Sequence, residues 1–246
     1  MAAVKYTYRY APLGELYRLG ATLTAREWLS AREREVYAQF RPSPRRDNWL
    51  LGRFLAKQLV LERQGNGSLS TMPDLAGVPT RLEIRSGGAR GKRLRPRLLV
   101  DGRLMPWSLS IAHTERAVLV VLAGASGLSV GADLVEPGCY GRGFVELWFT
   151  PAERERLRSA SDQGLAGAIW AAKEAVFKAT SRGEPFRPQR LEILPDRQRG
   201  FICRPTGSSL RFPCNLLVWR TPQGGIAAIA LQTRGASPSA DGGDDD

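Results

Sequence analysis

The feature that most constrains this chain is an internal repeat. Residues 30–35 read Ser-Ala-Arg-Glu-Arg-Glu and residues 150–155 read Thr-Pro-Ala-Glu-Arg-Glu. In each, a hydroxyl residue is followed three positions later by Glu, the pattern in which two side chains reciprocally cap the free N–H groups of a starting helix. Pro151 falls on the first helical position, where its missing donor costs nothing. A second helical run follows each start, Trp49 to Lys57 and Trp170 to Lys178. Glu33 and Glu153 stand 120 residues apart and the two tryptophans 121, so the halves align with one residue inserted or deleted. Strand-like runs close each half: Ala117–Ala123 in the first, Leu216–Trp219 and Ile226–Leu231 in the second. Gly127–Leu134 reads as a short strand opening the second half. The expected fold is α+β, a pseudo-dimer of two similar subdomains. Each would be a small antiparallel sheet packed with helices, with the active site in the cleft between them. The expected boundaries are 1–127 and 128–235, followed by a disordered acidic tail at 236–246 that lacks large apolar side chains.

Composition narrows the class. The chain has 246 residues, 43% of them hydrophobic, enough for a packed core and too many for wholesale disorder. Its longest apolar run, Ala117 to Ala125, is too short to span a bilayer, and the first residues have no apolar stretch resembling a signal peptide. Cys139, Cys203 and Cys214 lack metal-ligand spacing, and a cytoplasmic protein is expected. The net charge is +12, and +16 without the four aspartates of the tail, so the body should attract phosphates or an acidic protein. Residues 86–97, with Arg90, Lys92, Arg93, Arg95 and Arg97, read as an exposed basic loop.

Several residues could carry chemistry. Trp170, Glu174, Phe177 and Lys178 are spaced to share one side of a helix. That spacing alone also describes two packing aromatics and a surface ion pair. Asp133 ends the run Val130-Gly-Ala-Asp133, in which Gly131 permits close approach of another backbone or a ligand. Carboxylates at a strand end and on a helix are the hard oxygen ligands a magnesium ion carrying phosphates requires. His113 is the single histidine and should lie in a turn between two strands.

These segments together resemble a family. Leu109-Ser-Ile-Ala-His113 before a valine-rich strand, Val130-Gly-Ala-Asp133, Trp148-Phe-Thr-Pro-Ala-Glu153 and Trp170-Ala-Ala-Lys-Glu-Ala-Val-Phe-Lys178 look like the 4′-phosphopantetheinyl transferases, in particular the long, monomeric, two-subdomain type acting on carrier proteins. The resemblance implies transfer of 4′-phosphopantetheine from coenzyme A to a serine of an apo acyl or peptidyl carrier protein, releasing adenosine 3′,5′-bisphosphate. It implies Asp133 and Glu174 as Mg²⁺ ligands, Glu174 and Lys178 as catalytic groups, and His113, Lys178 and Arg103 as coenzyme A contacts. Arg46 and Arg53, with Arg45, are candidates for the first-half contact, because Asn48 stands where the family has an arginine. Val135 stands where many members have a second acid, and Glu136 is one residue too far along. Glu153 falls on an acidic family position, but capping accounts for it and for Glu33 alike. A monomer with no membrane or nucleic-acid partner is expected. Two alternatives stay open: an inactive relative that binds coenzyme A or a carrier, and a basic nucleic-acid-binding protein. The second finds no support in aromatic, zinc-binding or Gly-rich phosphate motifs.

Overall fold

A computed structural model describes residues 6–15, 25–65, 79–86, 95–124, 127–138, 140–159, 164–181, 184–206 and 214–233. Strand β1 (Tyr6–Pro12) precedes helices α1 (Ala25–Trp28), α2 (Ala31–Ala38) and α3 (Pro44–Gly65). Strands β2 (Leu82–Arg85), β3 (Arg97–Val100), β4 (Arg103–Leu104), β5 (Ser108–His113) and β6 (Ala117–Ala123) follow. From β7 (Leu128–Val135) the order recurs with α4 (Arg142–Trp148), α5 (Pro151–Ser159) and α6 (Leu165–Thr180). It ends with β8 (Leu191–Asp196), β9 (Gly200–Pro205), β10 (Cys214–Arg220) and β11 (Ile226–Thr233). Two three-stranded antiparallel sheets have matching orders, β1-β6-β5 and β7-β11-β10. The chain is thus α+β, built of small antiparallel sheets and helices. The expected acidic tail and residues 87–94 of the basic loop lie outside the described residues. Of that loop's flanks, Arg97 opens β3, and Arg95 donates to Ser129 Oγ (2.6 Å) and the Ser181 carbonyl (2.7 Å).

The capping boxes are present in both halves. Ser30 N–H donates to Glu33 Oε2 (2.9 Å) and Glu33 N–H to Ser30 Oγ (3.2 Å). Thr150 and Glu153 repeat this at 2.8 and 3.3 Å. Each glutamate then reaches into the fold. Glu33 accepts from Ile84 N–H of β2 (2.9 Å) and pairs with Lys57 (2.6 Å). Glu153 accepts from Ile193 N–H of β8 (2.7 Å) and pairs with Lys173 (2.7 Å). Both lysines are fully buried and donate onward to matching carbonyls, Trp28 and Pro79 for Lys57, Trp148 and Pro188 for Lys173. Burial lowers the pKa of each ammonium against the pull of its glutamate.

This duplicated network corrects the alignment of the second helices. Lys57 matches Lys173, 116 residues on, and not Lys178. The counterpart of Trp170 is accordingly Phe54 rather than Trp49. Ring contacts agree: Phe54 meets Trp28 at 4.4 Å as Trp170 meets Trp148 at 6.3 Å. Matching tryptophans do not fix this register, because a helix's phase against its sheet is set by burial, which identity does not record.

The seven residues of β6 are all buried because this central strand is covered on both faces. Val118, Val120 and Leu122 face Leu51, Phe54, Leu55 and Leu59 of α3. Leu119 and Val121 face the other sheet, packing with Val130, Ala132, Ile229 and Leu231. Along the seam, Ser108 Oγ and Ser110 Oγ accept the N–H groups of Val130 and Ala132, both at 2.9 Å. These side-chain acceptors satisfy edge donors of β7 that its own sheet leaves unpaired.

In the second half the helix approaches its sheet over small side chains. Ala171, Ala172, Ala175 and Ala179 of α6 pack with Ala228 and Ala230 of β11, all fully buried. Gly131 of β7 is essential to this closeness: a Cβ there would lie 2.0 Å from the Ala175 carbonyl oxygen and 2.6 Å from the Ala179 nitrogen.

Two outcomes are expected in thermal or urea denaturation. Glu153→Ala strands a buried ammonium and two N–H donors and should cost about 3–5 kcal/mol. Glu153→Gln, which keeps an acceptor for those donors, should cost less. Gly131→Ala has no flexible neighbour to push aside and should cost at least about 3 kcal/mol by forcing α6 off β7.

Candidate functional site

Asp133 lies within β7, two residues before its end, and the close approach of α6 sets it against Lys178. Lys178 Nζ is 2.5 Å from Asp133 Oδ1 and 3.5 Å from Glu174 Oε2. Two carboxylates from different elements therefore converge on one cation, the ammonium. Glu174 and Lys178, one turn apart on α6, share its β7-facing side. Asp133 is 7% exposed. Burial pushes its carboxyl up to about 7 and the Glu174 charge adds to this, while Lys178 pulls the other way. Burial also works against the Lys178 charge, but Asp133 and Glu174 outweigh it and hold the ammonium above its ordinary value.

The residues around this pair are aromatic and apolar. Trp170, one turn before Glu174, meets Phe144 at 4.9 Å and Phe186 at 5.7 Å. Tyr140 meets Phe144 at 4.9 Å, and a Cβ on Gly167 would lie 3.5 Å from both the Tyr140 ring and Val135 Cγ2. Burial, then the charges of Asp133 and Glu174, push the Tyr140 phenol up to about 12. Sequence reasoning missed Tyr140. It sits in a loop with no periodicity, and only the tertiary fold sets it against the first turns of α6.

The remaining candidates fall elsewhere. His113 is the exposed last residue of β5, so it ends a strand rather than standing in the turn. The next residue, Thr114, accepts from Asn48 Nδ2 (2.6 Å), which ties the start of α3 to this hairpin. Across the hairpin, Arg116 lies 3.9 Å from Glu136, just past the end of β7. Arg46 stands near that start of α3, its guanidinium 5.1 Å from the Tyr37 ring. Arg53 turns inward: it is 5% exposed, stacks over Trp49 at 3.4 Å and lies 3.8 Å from Glu33. Burial lowers its pKa to about 10, with Glu33 opposing. Its surroundings make it part of the first-half core. Arg103 is exposed on β4. Among the described residues, Arg46, Arg53 and Arg103 make no ion pair with Asp133 or Glu174. Glu153 is fully buried in its cap and lysine pair.

Among the described residues no three His, Cys, Asp or Glu side chains converge closely enough to form a complete metal site. Asp133 and Glu174 nevertheless suit a magnesium ion, which keeps water and phosphate oxygens and needs only one or two protein carboxylates. The ammonium between them shows that the pair already accommodates positive charge. In the first half the counterpart of Lys178 is Glu62, and its partner on β1 is Arg9, a pair of reversed sign. That half offers a base where the second offers Asp133.

Comparison with known proteins follows the same residues. A sequence model described as "ACPS: 4′-phosphopantetheinyl transferase superfamily" matches residues 129–230. The chain is 38% identical over 81 residues to a holo-[acyl-carrier-protein] synthase of Leifsonia xyli subsp. xyli (strain CTCB07). That alignment covers 30% of this chain and 66% of the relative, just under two thirds of its length. A solved ACPS–CoA complex from Chronobacterium ammoniagenes is 25% identical and covers 43% of this chain and 97% of that one, with a TM-score of 0.33. No helix among the described residues is long and apolar enough to cross a membrane. Residues 129–230, the segment that carries Asp133, Glu174 and Lys178, are similar to the 4′-phosphopantetheinyl transferase superfamily.

Proposed function

We propose that this protein transfers 4′-phosphopantetheine from coenzyme A to a serine hydroxyl of an apo carrier protein, with Mg²⁺ bound at Asp133 and Glu174. The carrying observation is the convergence of those carboxylates on one cation position, with Lys178 Nζ at 2.5 and 3.5 Å, inside the segment matched to the superfamily. In this reading residues 1–127 and 128–235 form two subdomains of one monomer, and the recurring element order supports a pseudo-dimer. The basic body suits an acidic carrier surface, which charge would steer to the site.

The reaction is a displacement at the β-phosphorus, so catalysis rests on positioning and neutralisation of charge. A magnesium ion there supplies charge compensation to the diphosphate oxygens. Glu174, the more exposed carboxylate, takes the proton of the serine hydroxyl as the serine O–P bond forms and the diphosphate P–O bond breaks. Lys178 neutralises a phosphate oxygen of the departing adenosine 3′,5′-bisphosphate. Asp133 holds the metal and keeps Lys178 charged. His113 and Arg46 lie near the joined start of α3 and the β5–β6 hairpin and serve as nucleotide contacts, with Arg103 on the adjoining small sheet. Arg53 has no such role here, because its guanidinium is enclosed by Trp49 and Glu33.

The test is intact mass of apo carrier proteins after incubation with the protein, coenzyme A and Mg²⁺, beside a chelator control. A metal-dependent gain of one phosphopantetheine arm is the expected result. Coenzyme A binding without transfer on any carrier would favour an inactive relative. Asp133→Ala and Glu174→Ala should each lower the transfer rate at least about a hundredfold while the melting temperature holds. Acid should also weaken the metal. The Asp133 carboxyl is pushed up to about 7, and its protonated form competes with the cation. The Mg²⁺ concentration giving half-maximal rate should therefore be several-fold higher at pH 6 than at pH 8, measured at saturating coenzyme A.

A further inference from the structure

Resting on the reading of Asp133 and Glu174 as a magnesium site, we infer that Tyr140 is a positioning residue of that site. Its hydroxyl donates a hydrogen bond to an oxygen carried by the ion. Two protein carboxylates leave most positions around a magnesium ion to water and phosphate oxygens, and those oxygens need donors to orient them. Val135, on the β7 face toward α6 and two residues beyond Asp133, provides none. Tyr140 and Val135 both flank the position a Gly167 Cβ would occupy, at 3.5 Å each.

The ring is fixed from two sides. Gly167 leaves room for it on the first turns of α6, and Phe144 meets it at 4.9 Å. Phe144 in turn packs on Trp170, one turn before Glu174, so the ring belongs to one aromatic wall beside the carboxylates. The phenol feels both Asp133 and Glu174. The residue is half-buried, and no hydrogen bond holds its hydroxyl among the described residues. A hydroxyl on a half-buried, fixed ring, packed with Phe144 at the first turns of α6 and on the Val135 side of the carboxylates, is placed to reach what those carboxylates hold.

The probe is Mn²⁺, titrated calorimetrically into the full chain with coenzyme A present. Tyr140→Phe keeps the ring and its packing and removes only the hydroxyl. The variant should bind Mn²⁺ about tenfold more weakly, the scale of losing an outer hydrogen bond to a metal site. Its melting temperature, and its affinity for coenzyme A in chelator, should stay as in the parent. The Mg²⁺ requirement for transfer should rise by the same factor. Unchanged Mn²⁺ affinity in Tyr140→Phe overturns the inference. So does an equal loss of coenzyme A affinity in chelator, which would make the hydroxyl a direct contact to the co-substrate. If the parent itself binds no Mn²⁺ with coenzyme A, the magnesium-site reading falls first, and the two failures are distinct.

Discussion

Helix α6 rests on β7 and β11 over alanines and one glycine, and the site depends on that contact. A Cβ at Gly131 would collide with backbone atoms of Ala175 and Ala179, which no side-chain rotation can relieve. The first half has Leu51, Phe54, Leu55 and Leu59 on the matching helix, which fill space between helix and sheet. Only the second half lets a strand carboxylate reach a lysine and a glutamate of its helix. Asp133 is buried as a result, and the desolvation that raises its pKa accompanies the placement of the two carboxylates around one cation.

The buried glutamate–lysine pairs do a different job. Each joins a helix cap, a second helix and the start of a small hairpin through one carboxylate and one ammonium. Desolvating the two ions offsets much of their attraction, so such a pair is weak evidence for added stability. Its consequence is register, because any slip of α3 or α6 would leave a charge and several carbonyl and N–H groups without partners. The duplication is stricter in these pairs than in the overall sequence, down to the carbonyls of Trp28 and Trp148 and of Pro79 and Pro188.

The two halves then diverge where the chemistry lies. Arg9 and Glu62 form a pair exposed to about half its extent on β1 and α3, whereas Asp133 and Lys178 form its charge-reversed counterpart, enclosed on β7 and α6. With one acid on the helix and a base on the strand, this first-half pair offers a single carboxylate where the second half offers two. Its contribution is the seam, where Ser108 and Ser110 satisfy β7 and the Asn48–Thr114 bond holds the hairpin bearing His113.

Local physics made part of this legible in the amino-acid sequence. The capping boxes at Ser30 and Thr150 and the apolar run of β6 are written in neighbouring residues, whereas the glycine at 131 marks a close approach whose partners, Ala175 and Ala179, only the fold reveals. The assignment of Glu153 to a cap followed from the same logic and from its mate Glu33. Strands β1, β2, β3, β8 and β9 escaped notice because they are short or carry polar residues on open faces. The tertiary structure alone decided the phase of α3 against α6, and so the match of Lys57 with Lys173. It also decided the enclosure of Arg53 and the packing of Tyr140 against Phe144 and the first turns of α6. Capping, strand burial and turn preference act between residues a few positions apart, so sequence records them. Which groups meet across the helix–sheet contact depends on how closely the elements approach, and that is set by packing over the whole core.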